Sequence, residues 1–187
     1  FEVVDGKISR KMMSSLELDS PSGVRLRVLD DMKRAVLTTV KDVLILDVSN
    51  LSAPNIYSQY EVKGNLDLED FNYLAEREIG LAVINLGDTE QSMELRVIDF
   101  SNPTSPEVLY SRRIESAGEQ GCKIIFSRDK KVMFLAGPTL VVYNISNMSS
   151  PVKISSIEVC TEENEYINFA DISFDDLTLF IETQDIS

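Results

Sequence analysis

Histidine and tryptophan are absent from this chain of 187 residues, and cysteine occurs only twice. Without histidine there is no imidazole for a Ser–His–Asp triad, no histidine general base and no supply of the commonest transition-metal ligand. Two cysteines, in no CxxC pair, build neither a disulfide framework nor a zinc site of the usual spacing. Basic side chains are also scarce: 18 Lys and Arg against 31 Asp and Glu leave a formal net charge of -13. Such a charge repels phosphate backbones and no basic stripe relieves it, which argues against nucleic-acid binding. No apolar run approaches the roughly 18 residues of a membrane-crossing helix. What remains, 43% hydrophobic and 26% charged, is the balance of a folded globular chain. The first residue is Phe1 and no signal-like leader stands ahead of the first apolar segment, so the compartment is not legible there.

What the chain does have is an internal repeat. The block Val43-Leu44-Ile45-Leu46-Asp47-Val48-Ser49-Asn50-Leu51-Ser52-Ala53-Pro54 recurs as Leu95-Arg96-Val97-Ile98-Asp99-Phe100-Ser101-Asn102-Pro103-Thr104-Ser105-Pro106, and again from Leu140 to Pro151. Asp47 and Asp99 lie 52 residues apart, and Asp99 and Asn144 lie 45 apart. Each copy is an apolar, β-rich run followed by D/N-x-S-N and a later proline. After the proline comes another strand-like stretch, as in Ile56–Val62 and Lys153–Val159, with Met12–Leu18 as a further copy and Val108–Glu115 a looser one. Between copies the pattern is strand, polar turn, strand: Leu26–Leu29 with Arg34–Val40, Lys123–Phe126 with Lys131–Ala136, and Ile167–Ile172 with Leu177–Ile181. The second unit (Asp67–Ala75, Ile79–Leu86) is longer, with an insertion near Gly87–Ser92. No segment sustains a helical period, so the expected class is all-β.

Four short strands every 41 to 52 residues is the signature of β-propeller blades. One four-stranded sheet cannot bury both of its faces, whereas stacked blades bury each other. With strands lettered a (innermost) to d (outermost), the chain reads as c and d, three complete blades, then a and b. The expected organisation is a single propeller domain over 1–187, with repeats at 1–18 (partial), 24–62, 67–115, 119–159 and 165–187 (partial). Asp47, Asp99 and Asn144 end strand c, where a carboxylate or amide oxygen accepts bonds from nearby backbone N–H groups in an Asx-type turn. Asp30-Asp31 and Asp175-Asp176 read as a–b turn residues.

The run Leu44-Ile45-Leu46-Asp47-Val48-Ser49-Asn50, with Pro54 behind it, resembles the LVIVD repeat of bacterial, archaeal and some protist surface proteins. Arg96-Val97-Ile98-Asp99-Phe100-Ser101-Asn102-Pro103 is the nearest copy, and Val141 to Asn147 is a variant with Asn for Asp. The resemblance implies a propeller, often extracellular or envelope-associated, with no common catalytic activity. This chain departs from the pattern in lacking a glycine before the apolar run and in its long second repeat. Tryptophan–aspartate repeats match less well, since there is no Trp and no Gly-His pair. The resemblance also implies more than four blades, which favours a segment of a larger propeller over a four-bladed ring closed by the chain's two ends.

The loops that join strand d to the next strand a are the first place to seek a site, because in propellers they line the channel mouth. Here they are Asp19–Gly23, Lys63–Asp70, Glu115–Gly121 and Thr161–Glu165. Asp67, Glu69, Asp70, Glu119, Glu162, Glu163 and Glu165 are the candidate binding acids, with Asp19 and Glu115 beside them and Lys63 the one base. Such a rim focuses negative potential toward a cationic partner or a divalent ion such as calcium. The alternative is that it serves solubility. No D-x-[DN]-x-[DN]-G calcium loop is present. Three sequons begin at Asn50, Asn144 and Asn147, and Pro103 blocks a fourth; Asn50 and Asn147 are the glycosylation candidates. Cys122 opens an inner strand and Cys160 follows an outer one, so two free, partly buried thiols are expected.

Nothing matches GxSxG, HExxH, a P-loop or GxGxxG. The expected function is therefore a non-enzymatic binding or scaffolding propeller at a cell surface or in an extracellular assembly. It would meet a protein or glycan partner, a cationic one in particular, and its blade edges open a route to self-assembly. The competing class is a propeller hydrolase or lyase using acids at the channel mouth.

Overall fold

The computed structural model describes residues 2–4, 7–9, 23–64, 66–88, 92–114, 122–160, 165–173 and 178–185. Among them the chain forms sixteen strands and no helix. β1 (Glu2–Val4) and β2 (Lys7–Ser9) make a two-stranded sheet. β3 (Arg25–Val28), β4 (Arg34–Thr38), β5 (Asp42–Asp47) and β6 (Asn55–Glu61) make the first four-stranded blade. β7 (Asp67–Leu74), β8 (Ile79–Asn85), β9 (Met93–Asp99) and β10 (Glu107–Ile114) make the second. β11 (Lys123–Phe126), β12 (Val132–Ala136), β13 (Thr139–Asn144) and β14 (Val152–Glu158) make the third. β15 (Glu165–Ile172) and β16 (Leu179–Asp185) close the series as a pair. All pairings are antiparallel, each strand with its sequence neighbour. The all-β propeller reading of the sequence is thereby met, with the expected order of two, four, four, four and two strands. One detail differs: β2 lies where a c–d turn was expected, and the Met12–Leu18 copy falls outside the described residues.

The chain divides into two compact units, residues 1–61 and 62–187. In the first, β5 is buried on both faces from Val43 to Leu46, which is why its sequence is a continuous apolar run rather than an alternation. Ala35, Leu37, Leu44 and Leu46 cluster on one face, with Val48 against them. In the second unit the second blade packs on the third. Leu81, Val83, Leu95 and Val97 meet Ile124, Leu135, Val141 and Tyr143 in one continuous core. Burying each such Leu, Ile or Val contributes roughly 1.5–3 kcal/mol. The opposite face of the third blade, with Ile125, Phe134 and Leu140, packs on Leu179 and Ile181 of β16.

The repeated D/N-x-S-N segment is a pair of consecutive Asx turns. Oδ1 of Asp47, Asp99 and Asn144 accepts from the N–H of Ser49, Ser101 and Ser146 at 2.9, 2.8 and 2.9 Å. Oδ1 of Asn50, Asn102 and Asn147 then accepts from the N–H of Ser52, Thr104 and Ser149 at 3.1, 3.3 and 3.1 Å. Each c–d pair also carries a bulge beyond the turn. The Ser49 hydroxyl and N–H hold the Asp47 carboxyl below its ordinary value of 3.8.

The a–b turns place one non-glycine residue in the left-handed region: Met32 at φ 53°, Lys130 at 56° and Glu78 at 54°. In the first and third blades it directly follows Asp31 and Asp129. Asp31 Oδ1 accepts from the N–H groups of Lys33 and Arg34 at 2.9 and 3.0 Å, and Asp129 Oδ1 from that of Lys131 at 3.0 Å. In the second blade Glu76 stands in that place and the left-handed residue shifts one along, to Glu78. The insertion expected near Gly87–Ser92 is the β8–β9 connection.

Gly80, on β8, has a packing reason. A Cβ there meets the Phe71 ring at 2.5 Å and the Phe100 ring at 2.7 Å. Phe100 stands edge-on to both Phe71 and Tyr73, with ring centroids 6.1 and 5.6 Å apart.

Two outcomes are expected. Gly80→Ala forces the aromatic trio apart and lowers unfolding stability by about 1–3 kcal/mol, read from the denaturant midpoint. Asp47→Asn keeps the acceptor but removes the charge. Because the folded carboxyl titrates below its ordinary value, its stabilisation is complete above pH 3.8 and fades as pH falls through the depressed folded value. The variant is therefore expected to show a flatter acid limb in a stability–pH series and to converge with the parent at the acid end.

Candidate functional site

Of the seven acids singled out by sequence, three have described side chains, and all three sit on β7. The sequence reading put them in a d–a loop, Lys63–Asp70. The structure corrects this: the strand begins at Asp67, so they belong to the innermost strand of the second blade. Glu119, Glu162 and Glu163, like Asp19 and Glu115, lie outside the described residues, and Glu165 is placed only as the first residue of β15. A bulge between Leu68 and Asp70 leaves Glu69 without an opposite number on β8 and re-aims the residues after it.

The consequence is a clamp between blades. Asp70 Oδ2 accepts from the Ile124 N–H at 2.8 Å, and Asn72 Nδ2 donates to the Ile124 carbonyl at 2.6 Å. Asp70 and Asn72 are two residues apart and share one side of β7. Ile124 lies on β11, the innermost strand of the third blade. In an antiparallel pair every second residue turns both backbone groups away from its partner strand. For Ile124 those groups point toward β7, and two side chains satisfy them. Pairing register puts Arg25 and Lys123 in the place of Asp70 in the other two blades, and Arg27 and Ile125 in the place of Asn72. The clamp is thus peculiar to the second blade, and a repeat comparison does not reveal it. Its one signal was the polar pair Asp70 and Asn72 flanking Phe71.

Next to it, Asn85 Nδ2 donates to Glu69 Oε1 at 3.4 Å, and Asn85 Oδ1 accepts from the Gly87 N–H at 2.8 Å. The inserted connection is tied down by Asp88, whose Oδ1 accepts from the Ser92 N–H at 2.8 Å. Its Oδ2 meets Arg113 Nη2 of β10, also at 2.8 Å, and the same guanidinium donates to the Ser92 hydroxyl. Sequence reasoning missed Asn72, Asn85, Asp88 and Arg113, because the contacts of Asn72 with Ile124, Asn85 with Glu69 and Asp88 with Arg113 join residues far apart in the chain.

Cys122 is buried immediately before β11. Burial, and then the negative charges of Glu69 and Asp70, push its thiol up to about 12, with Lys123 opposing them. A nucleophilic cysteine needs the reverse setting. Cys160 is likewise buried, and neither cysteine is in a disulfide, as expected. Among the described residues no three Cys, Asp or Glu side chains gather into a group able to hold a metal ion. Asn50, Asn144 and Asn147 are exposed, each with Oδ1 held in its Asx turn.

Residues 39–62 and 90–111 match the LVIVD repeat family model, in agreement with the resemblance read from the first two copies. No curated protein matches the chain. Among solved structures it is similar to a protein from Lactobacillus plantarum, with a TM-score of 0.65 at 9% identity, over 86% of this chain and 50% of that one. It is similar to the periplasmic gluconolactonase of Pseudomonas aeruginosa, with a TM-score of 0.55 at 14% identity, over 74% of this chain and 40% of that one. A candidate 6-phosphogluconolactonase of Bacteroides fragilis gives 0.54 at 8% identity, over 87% of this chain and 54% of that one. At these identities the likeness is one of β-propeller fold, and the chain spans about half the length of the structures it matches. Among the described residues no helix is long and apolar enough to cross a membrane.

Asp70→Ala leaves the Ile124 N–H without its acceptor and is expected to cost about 1–3 kcal/mol of stability. Combined with Asn72→Ala in a double-mutant cycle, the losses are expected to be non-additive, since both side chains serve one residue. For the thiols, a native sample treated with a disulfide reagent at pH 8 is expected to show no fast-reacting cysteine, and two after denaturation. The raised Cys122 value means that its protonated form supports the fold below about pH 9 and that this support is lost as pH climbs toward 12.

Proposed function

We propose that this chain is a non-enzymatic binding or scaffolding module of a cell surface or extracellular assembly, meeting a protein or glycan partner. One observation carries the reading: the polar groups that chemistry would require are engaged in holding the fold. Asp70 clamps the next blade, and Glu69 accepts from Asn85. Cys122 is buried as a thiol, and Asp88 is bound to Arg113. The outermost strands, in contrast, turn apolar side chains to solvent, among them Ile56, Val108, Val152, Ile154 and Ile157. Exposed apolar groups on outer strands suit contact with a partner. The charge of -13 favours a cationic partner and an association rate that falls with salt.

A second reading, a propeller-type hydrolase or lyase, is supported by the fold likeness to a gluconolactonase and to a candidate 6-phosphogluconolactonase. It would draw on acids of the inner strands and their loops, Glu69 among them.

The test is a paired one on a single preparation. Immobilised protein is screened against glycan and basic-peptide arrays from low salt up to about 0.5 M, where exposed charges are strongly screened. The same sample is assayed for hydrolysis of aldonolactones. Salt-sensitive binding with lactone loss at the uncatalysed rate is the expected result. Lactone turnover that disappears in Glu69→Gln overturns the proposal in favour of the hydrolase.

A further inference from the structure

The a–b and c–d turns of a blade lie at the same end of it, and in the third blade a hydrogen bond joins them: the Ile145 N–H donates to the Lys131 carbonyl at 2.8 Å. The charge of that end differs from blade to blade. It can be read over the a–b turn, the Asx residue that ends strand c, the c–d turn and the first two residues of strand d. In the first blade these set Lys33 against Asp30, Asp31 and Asp47. In the second they set Arg77 against Glu76, Glu78, Asp99 and Glu107. In the third the sign reverses, with Arg128, Lys130, Lys131 and Lys153 against Asp129 alone. A chain of net charge -13 therefore carries a cationic end on one of its blades.

The geometry makes a surface of these charges. Asn144 stands where the other blades have Asp47 and Asp99, so the turn keeps its Oδ1 acceptor, 2.9 Å from the Ser146 nitrogen, without the negative charge. Asp129 is committed to its own turn. Its Oδ1 accepts from the Ser127 hydroxyl at 2.8 Å and from the Lys131 N–H at 3.0 Å, and Lys131 Nζ stands 3.7 Å from its Oδ2. Lys130 is held over the Phe126 ring, 5.6 Å from the centroid. Lys131 leads into strand b and Lys153 lies near the start of strand d. Two strand spacings separate them, about 10 Å. Arg128, Lys131 and Lys153 are exposed, and so are Ser146, Asn147, Ser149 and Ser150 of the c–d turn. The large apolar residues of that turn, Ile145 and Met148, are 0% and 8% exposed. What faces solvent is thus a set of cations with hydroxyl and amide groups beside them.

We propose that the turn end of the third blade, through Arg128, Lys130, Lys131 and Lys153, binds an anionic polysaccharide, one bearing carboxylate or sulfate groups. At physiological salt charges are screened over about 8 Å, so at contact distance these four cations outweigh the acids elsewhere on the chain. A nucleic acid fits poorly: a duplex carries one charge per roughly 1.7 Å and runs beyond a patch of this size onto an acidic surface. An acidic peptide lacks an anchor, because aromatic and aliphatic hot-spot residues need an apolar pocket and the apolar side chains of this turn are buried. An anionic glycan spaces its charges among hydroxyl groups, which the exposed serines and Asn147 can pair. The proposal deepens the glycan side of the binding reading and rests on it, with a partner opposite in sign to the one that the net charge favours.

The test titrates the 187-residue chain into a fluorescein-labelled heparin octasaccharide and follows the anisotropy, with a neutral dextran octasaccharide and a glutamate octapeptide as comparison probes. The parent is expected to bind heparin saturably, to lose it as salt rises to about 0.5 M, and to bind the other two far more weakly. Arg128→Gln, Lys131→Gln and Lys153→Gln combined are expected to weaken heparin binding about tenfold, the joint effect of three exposed ion pairs. Asn144→Asp is the sharper variant. It restores the acid that the other blades carry and keeps the Asx turn, so it is expected to weaken binding severalfold with an unchanged thermal midpoint. Lys33→Gln, the same repeat position in the first blade, is expected to bind as the parent does. No saturable heparin binding at low salt, binding indifferent to the triple variant and to Asn144→Asp, an equal loss in Lys33→Gln, or equal affinity for the glutamate peptide overturns the proposal. Basic-peptide binding without heparin binding removes this inference and leaves the binding function standing. Heparin binding that follows the variants, without basic-peptide binding, keeps the inference and removes the cationic partner.

Discussion

A β-sheet of four short strands has two faces, and within one blade nothing covers either of them. Everything else in this protein follows from that constraint. Strands β5 and β8 become continuous apolar runs, because both of their faces are buried, as in Val43–Leu46 and Ile79–Ile84. The second and third blades share one core rather than having one each. Where blade meets blade the inner strand is buried, as at Ile124. The hydrophobic term thus acts between repeats more than within them, as in other repeat architectures.

Stacking leaves a polar problem at the innermost strand, which has only one partner in its own sheet. For β11 the solution is local to one junction. Asp70 and Asn72 meet the two outward-facing backbone groups of Ile124, so that a strand edge is satisfied by side chains of the adjacent blade. At the other side of each c strand, the Asp or Asn that ends it takes up the N–H of the following serine and starts the turn to strand d. An acidic chain of this kind holds many carboxylates that are structural elements first.

The repeat was legible because the requirements that generate it are short-ranged. An apolar run marks a strand buried on both faces, and an Asx turn needs its donor within two residues. Strand order, the three a–b hairpins and the insertion before Met93 were therefore readable to within a few residues. The site was less so. Asp67, Glu69 and Asp70 are visible as acids near a blade junction, but their membership of β7 depends on a bulge that sequence pattern does not mark. The clamp needs Ile124, 54 residues further on from Asp70, and the tie of Asp88 to Arg113 spans 25 residues. The shift of the left-handed residue to Glu78 follows no pattern in the sequence that distinguishes it from Met32 and Lys130.

By itself, then, the sequence determined the all-β class, the blade period and the turn chemistry. These depend on residue type and on contacts between near neighbours along the chain. Only the tertiary structure decided which acids are committed to bonds, that both thiols are buried, and which apolar faces are covered. Those outcomes are set by what a blade meets in space. The partner there comes from a different repeat, whose identity at the point of contact no local pattern encodes.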